Sequence, residues 1–144
     1  MTPGTEARRR WAYTLPIQAT LRDTDGLGHV NHAVYVTWLE EARTKYVVER
    51  RGLTDVHQVD FVMASATLHF RSPVYFHEVV EVSLAPIRIG TKSWDLAYEG
   101  RVAGSGRLAV EGTTTQVQFD FTARASRPIP EDWRRMLEAD RVNP

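Results

Sequence analysis

The sequence changes character within one stretch, Asp23-Thr-Asp-Gly-Leu-Gly-His-Val-Asn-His-Ala-Val-Tyr35. Before this stretch, apolar and polar residues alternate from Trp11 to Leu21, which is the pattern of a strand with one buried face. Pro16 cannot donate a hydrogen bond to a neighbouring strand, so we expect this strand at the edge of a sheet.

After the stretch, apolar residues follow the spacing of an amphipathic helix. They are Tyr35, Trp38, Leu39, Ala42 and Tyr46. Asn31 is a typical N-cap residue, and Gly52 is typical of the position just beyond a helix C-terminus. The sequence therefore predicts a helix over about 32–51.

The remainder of the chain returns mostly to a period of two, in the segments 62–70, 80–84, 94–98 and 107–121. Gly104-Ser-Gly106 predicts a hairpin turn, and a shift of the apolar phase in the last segment predicts a β-bulge at Gly112. A short terminal helix is predicted to follow, with Pro130 in its first turn. One long helix with about five strands predicts an α+β fold, in which an antiparallel sheet packs on the helix.

The composition narrows the classes of function. The chain has 144 residues with 18 basic and 18 acidic side chains, so a general nucleic-acid binder is not expected. It has no cysteine, which excludes disulfides, thiolate metal sites and a cysteine nucleophile. We expect residues 1–10 to be a flexible arm and 11–144 to form a single domain. Lacking a signal-like or membrane-spanning segment, the protein is predicted to be cytoplasmic and to act without a membrane.

The stretch between strand and helix carries the candidate chemistry. Asp23 and Asp25 supply carboxylates, and the following helix directs its free N–H groups and positive dipole end towards them. Such an end can stabilise a carbonyl oxygen that becomes negative. A simple Asp-rich turn is the alternative interpretation, and His29 with His32 could also form part of a metal site. No second histidine-rich segment is present in the sequence to complete a metal site with His29 and His32, so we expect no metal.

These residues resemble the 4-hydroxybenzoyl-CoA thioesterase family of hot-dog-fold proteins. The resemblance rests on residues 23–35, on Trp38-Leu-Glu-Glu-Ala-Arg43, and on Phe70-Arg-Ser-Pro-Val74 and Gly90-Thr-Lys-Ser-Trp94. It implies a hot-dog fold, a five-stranded antiparallel sheet wrapped around one long central helix. It also implies hydrolysis of an acyl-CoA thioester, with Asp25 as the catalytic carboxylate and the backbone N–H at His32 as the oxyanion donor. Asp25 could act as nucleophile or as general base.

The resemblance further implies a substrate site at the interface of two subunits. The candidate substrate-binding residues are Gly28, His29, Asn31, Arg71, Arg88, Lys92 and Ser93. Coenzyme A is part of the substrate, so no separate cofactor is expected. The valines that lie off the apolar stripe of the helix, Val36 and Val47 among them, predict a homodimer or homotetramer. A carrier-protein thioesterase and a non-catalytic acyl-CoA-binding module remain alternatives.

Overall fold

The computed structural model describes residues 11–143, so the predicted arm 1–10 lies outside the described residues. One long helix, α1 (His32–Arg51), and a terminal helix, α2 (Glu131–Asp140), accompany an antiparallel sheet. The strands are β1 (Tyr13–Gln18), β2 (Phe61–Phe70), β3 (Val79–Ile89), β4 (Ser93–Val102), β5 (Leu108–Asp120) and β6 (Ala125–Ser126). Their order is β1-β3-β4-β5-β2, and the two-residue β6 pairs with the end of β5. The predicted five-stranded antiparallel sheet on one long helix is confirmed.

Helix α1 begins and ends where the sequence predicts. The Asn31 side chain accepts a hydrogen bond from the Ala33 N–H, and Gly52 adopts a left-handed conformation with φ of 62°. All five residues of the predicted apolar stripe are buried in the core. Val47, which we expected to need cover from a second copy, is buried within the protomer, whereas Val36 is 40% exposed.

Strand β1 is shorter than predicted. It ends at Gln18, because residues 21–23 form a 3-10 turn instead of extended chain. Its alternation of half-buried and exposed side chains agrees with the prediction. The prediction that Pro16 belongs to an edge strand is also confirmed, since within residues 11–143 β1 pairs only with β3.

The predicted bulge at Gly112 is wrong. Gly112 stands in regular register between Leu68 of β2 and Tyr98 of β4, and the bulge in β5 lies at Ala109. The apolar phase misleads here, because β5 turns the polar side chains of Thr114, Gln116 and Gln118 towards the core. A Cβ at position 112 would clash with the Thr67 carbonyl oxygen, which explains the glycine.

Strand β2 forms the other edge of the sheet and is largely exposed. A bulge at Ala64 shifts its register against β5. Residues that pair across neighbouring strands share a face of the sheet, so Phe61 and Met63, rather than Val62 and Ala64, face the core side. This corrects the first half of the face predicted for this strand.

Helix α2 packs across the C-terminal half of α1. Trp133 and Leu137 are buried, and the Tyr46 hydroxyl donates to Asp140 at 2.7 Å. Pro130 occupies the N-cap position, next to the first turn in which the sequence predicts it. Within residues 11–143, no helix has the length and apolar character needed to cross a membrane.

Candidate functional site

The loop between β1 and α1 is held by short backbone links. The Asp25 N–H donates to the His29 carbonyl at 3.0 Å, and residues 24 and 30 form an isolated β-bridge. A second bridge joins His29 to Tyr75, and the Val30 N–H donates to the Val74 carbonyl at 2.8 Å. The loop therefore lies against the segment that precedes β3, and it brings Asp25 and His29 side by side.

The two carboxylates of the loop have different surroundings. Asp23 accepts hydrogen bonds from the Thr20 N–H at 2.8 Å and from its hydroxyl at 2.9 Å, which holds the 3-10 turn. Asp25 accepts the Leu27 N–H on Oδ1 at 2.8 Å, and its Oδ2 has no hydrogen bond within the described residues. Gly28 closes this turn with φ of 83°, a conformation that favours glycine. Asp25 thus keeps one carboxylate oxygen available to a ligand.

The start of α1 leaves one backbone donor open. Asn31 satisfies the Ala33 N–H through its side chain at 2.9 Å and the Val34 N–H through its carbonyl at 3.0 Å. The His32 N–H has no acceptor among residues 11–143. Asn31 therefore acts as the cap of the helix, and the amide at His32 is free to bind an oxygen at the positive end of the helix dipole.

A cavity of about 310 Å³ lies beside this helix start. Its lining includes His29, His32, Tyr35, Phe70, Arg71 and Pro73. The His32 ring stacks on Phe70 with centroids 4.3 Å apart and an angle of 12°. Asp25 lies on the neighbouring turn rather than in this lining. Sequence reasoning missed Phe70 and Tyr35 as site residues, although Phe70 opens the Phe-Arg-Ser-Pro stretch that carries part of the resemblance.

The basic and hydroxyl candidates do not gather in one place. Arg71 follows the end of β2 and lines the cavity, and it reaches Glu111 at 3.4 Å. Arg88, Lys92 and Ser93 lie at the turn between β3 and β4, at the opposite end of the sheet. The 11 residues of β3 span roughly 33 Å at the rise of a strand. A single protomer therefore cannot place Lys92 beside Asp25.

Arg88 already forms an ion pair with Asp95. Its guanidinium donates to both Asp95 oxygens, at 2.7 and 2.9 Å, and also to the Ser93 hydroxyl at 2.9 Å. Burial raises the pKa of Asp95, but the hydrogen bonds from Arg88 and Thr115 outweigh it, so its pKa lies below the usual range. Lys92 is exposed, and its ammonium has no partner in the described part of the chain. Lys92 is the better candidate of the two for a phosphate.

The histidines of the loop do not converge with other ligands. Among residues 11–143, no three histidine, aspartate or glutamate side chains come together in an arrangement that could hold a metal ion. The groups that this loop can offer to a ligand are therefore the Asp25 carboxylate oxygen and the His32 backbone N–H.

The chain is similar in sequence and in fold to known thioesterases. The family model of the Thioesterase-like superfamily matches residues 19–137. A 1,4-dihydroxy-2-naphthoyl-CoA hydrolase from Nostoc punctiforme is 23% identical over 134 residues, covering 90% of this chain and 89% of that protein. The structure of a predicted thioesterase from Bacillus stearothermophilus has a TM-score of 0.84 at 24% identity, covering 92% of this chain and 98% of that one. A thioesterase from Thermus thermophilus, complexed with coenzyme A and Zn, has a TM-score of 0.81 at 25% identity, covering 90% and 93%.

These findings confirm two predictions made from the sequence. The hot-dog fold agrees with the fold of the solved thioesterases, whose chains align over almost their whole length. The prediction of a thioester hydrolase is confirmed as well. Because the family model spans most of its length, the chain belongs to the Thioesterase-like superfamily.

Proposed function

We propose that this protein hydrolyses an acyl-CoA thioester to the free acid and coenzyme A. The observation that carries the proposal is the open His32 N–H at the start of α1, on the loop that presents the free Oδ2 of Asp25. A thioester hydrolase needs a group that attacks or activates water and a donor for the developing oxyanion. The loop supplies both.

The chemistry follows from these two groups. Either the Asp25 carboxylate attacks the thioester carbonyl, or it takes a proton from a water that attacks. In both routes the carbonyl oxygen becomes negative and accepts the His32 N–H, a kind of contact worth about 2.7–4 kcal/mol in the transition state. The carbon–sulfur bond then breaks, and the thiolate of coenzyme A leaves and takes up a proton. The nucleophilic route passes through a mixed anhydride that water hydrolyses.

The choice of coenzyme A as carrier is supported by the relatives. The Nostoc punctiforme protein is a CoA-ester hydrolase, and the Thermus thermophilus protein binds coenzyme A. Lys92 is a candidate for binding the nucleotide phosphates, since the chain is neutral overall and attraction must come from local charge. Because Lys92 and Asp25 lie at opposite ends of a protomer, such binding requires a second copy.

The assembly that we propose is therefore a homodimer, with two sites between its subunits. Two features support it. In the described part of the chain, no strand pairs with the outer edge of β2. Apolar side chains around the loop are also exposed, including Leu27 at 79% and Tyr75 at 49%. Sedimentation at micromolar concentration is expected to give a dimer or a tetramer. An active, stable monomer would contradict this part of the proposal.

The test of the activity is thiol release from a panel of CoA esters, followed with a thiol reagent. Acetyl-, octanoyl-, palmitoyl- and benzoyl-CoA sample chain length and aromaticity. The expected result is turnover of at least one ester by the parent protein and its loss in Asp25→Asn. Saturable binding of the esters without thiol release would favour the non-catalytic module. If only thioesters of an acyl carrier protein were hydrolysed, the carrier would be that protein and not coenzyme A.

A further inference from the structure

Helix α1 and strand β2 contact each other near their ends, and side chains between those contacts are exposed. Both ends of the helix contact the ends of the strand, because His32 stacks on Phe70 and Arg51 pairs with Asp60. Between these contacts, Met63 of β2 is 42% exposed although it shares a face of the sheet with core-facing residues of β5. Val36 on α1 is exposed as well. We call the space between α1 and the core-side residues of β2 the α1–β2 trough.

The walls of the α1–β2 trough on the strand side are apolar. They are Phe61, Met63, Ala66, Leu68 and Phe70. One end of the trough, at Phe70, is the cavity that contains the start of α1. An acyl group attached to a thioester at that end would find apolar surface along the strand, which is the chemistry that an alkyl or aryl chain requires.

Arg43 is a buried residue of the same helix, α1. It is 5% exposed, and its only hydrogen bond among the described residues goes from Nη1 to the Tyr98 hydroxyl at 3.2 Å. Its Nε is buried without a partner, and no carboxylate lies within ion-pair distance in residues 11–143. Arginine is rarely buried unless it is paired, because an uncompensated charge in the interior is costly.

Among residues 11–143, the hydrogen-bonded cluster that Arg43 joins contains no acidic side chain. The Tyr98 hydroxyl shares a hydrogen bond with Thr114 at 2.7 Å, and Thr114 also contacts the Gln116 side chain. Gln116 in turn donates to the Trp94 carbonyl at 3.1 Å. Burial raises the pKa of Tyr98, so its hydroxyl stays neutral. The cluster orients the guanidinium through neutral acceptors and leaves its charge uncompensated.

We infer that Arg43 is a specificity-determining residue, which receives a carboxylate at the far end of an acyl group lying in the α1–β2 trough. The inference rests on the proposed function. The position fits, because Thr114 stands four residues along β5 from Val110, the partner of Phe70, which is roughly 13 Å at the rise of a strand. The preferred substrates are then CoA monoesters of linear dicarboxylic acids, whose length spans this distance.

Two matched series of substrates test the inference. Adipoyl-, suberoyl- and sebacoyl-CoA carry a distal carboxylate, and hexanoyl-, octanoyl- and decanoyl-CoA have the same lengths without it. We expect the parent protein to favour one member of the charged series over its neutral counterpart in kcat/KM. Arg43→Met should lose about tenfold or more in kcat/KM on that ester while retaining its rate on the neutral one, because only the charged ester loses a hydrogen bond between two charged groups.

The control is Lys45→Met, which removes an exposed cation from the same helix. Lys45 pairs with Glu41 on the surface at 3.3 Å, so this variant should keep the preference of the parent. Circular dichroism and sedimentation verify that Arg43→Met folds and assembles. If it does not fold, Arg43→Lys, which keeps the charge but loses the guanidinium, should show the same selective loss in smaller degree.

The outcomes separate the inference from the proposed function. Equal kcat/KM on both series in the parent, or an equal loss on both in Arg43→Met, would overturn the role of Arg43 and leave acyl-CoA hydrolysis intact. A parent protein that releases no thiol from any ester would overturn the proposed function and the inference together.

Discussion

Asp25 holds its turn with one carboxylate oxygen alone, since only Oδ1 accepts the Leu27 N–H, at 2.8 Å. Asparagine at this position can keep that bond through its amide oxygen, so Asp25→Asn removes the charge without removing the support of the turn. We expect kcat for CoA esters to fall by orders of magnitude while substrate binding survives. Single-turnover kinetics and equilibrium binding measure the two effects separately. A variant with the parent rate would show that Asp25 is not catalytic.

Asp23→Asn provides the comparison within the same loop. Its Oδ2 accepts both hydrogen bonds from Thr20, and an asparagine amide oxygen can still accept them without the charge. We therefore expect a small decrease in melting temperature, since bonds to a charged acceptor are stronger, and a smaller loss of kcat than in Asp25→Asn. If Asp23→Asn were inactive and Asp25→Asn active, the two roles would have to be exchanged.

Lys92→Ala is expected to raise KM for CoA esters several-fold with little change in kcat, because the nucleotide is remote from the reacting carbonyl. The effect should shrink at high salt, which screens exposed charges. A pantetheine thioester without nucleotide phosphates is the control, and on it Lys92→Ala and the parent should behave alike. An equal rise of KM on both substrates would place the nucleotide site elsewhere.

Arg88→Ala should behave differently from Lys92→Ala. Arg88 donates to both oxygens of Asp95, so its loss leaves that carboxylate without its cation. Because the pair is partly exposed, we expect a stability loss of about 0.2–1 kcal/mol and a smaller change in KM than for Lys92→Ala. Chemical denaturation measures the first quantity and steady-state kinetics the second. A larger KM effect than that of Lys92→Ala would reverse the assignment.

The ionisation of Asp60 is expected to make the stability of the fold depend on pH. Burial raises its pKa, but hydrogen bonds from Arg51 and Arg127 and the charge of Arg51 outweigh that effect, so its pKa lies below the usual range. The stabilisation is therefore complete above the pKa of an unfolded aspartate, about 3.9, and is lost as the pH falls through the lower folded pKa. Asp60→Asn should lower the melting temperature near neutral pH, and the difference from the parent should close in acid. Glu41→Gln, in an exposed pair, should change little at any pH.

Gly112→Ala is expected to destabilise the fold by about 1–3 kcal/mol, because the added Cβ meets the Thr67 carbonyl of the adjacent strand and one backbone must move. Gly26 is a matched control, since a Cβ there meets nothing within 4 Å. Denaturant unfolding of the two alanine variants compares them directly. Equal stability of both would mean that β2 shifts without cost at this edge.

The sequence predicts the long helix best and the core face of β5 worst. Helix α1 has strong boundary signals in Asn31 and Gly52, and its apolar residues are the buried ones. In β5 the apolar residues Val117 and Phe119 lie on the half-exposed face, whereas the core side carries Thr114, Gln116 and Gln118. A pattern based on hydrophobicity inverts this part of the strand, because polar side chains that are buried look like surface residues in the sequence.

The residue types of the loop were enough to identify it as the candidate site. They were not enough to assign a separate role to each residue. The commitment of Asp23 to Thr20 and of Arg88 to Asp95 depends on side-chain positions that spacing alone does not determine. The burial of Arg43 has a signal in the sequence. Arg43 stands four residues after Leu39 and three before Tyr46, on the buried side of the helix, where a charged residue is unexpected.

The separation of Asp25 and Lys92 along the sheet has a genetic consequence. A two-fold axis reverses one copy against the other, so each site of a dimer would take its carboxylate from one chain and its lysine from the other. Asp25→Asn and Lys92→Ala would then complement each other. In a mixed dimer, one site combines Asp25 of the Lys92→Ala chain with Lys92 of the Asp25→Asn chain, and that site is intact. Co-expressed variants should therefore exceed the mean activity of the two separate proteins at low substrate concentration, whereas residues acting within one chain would give that mean.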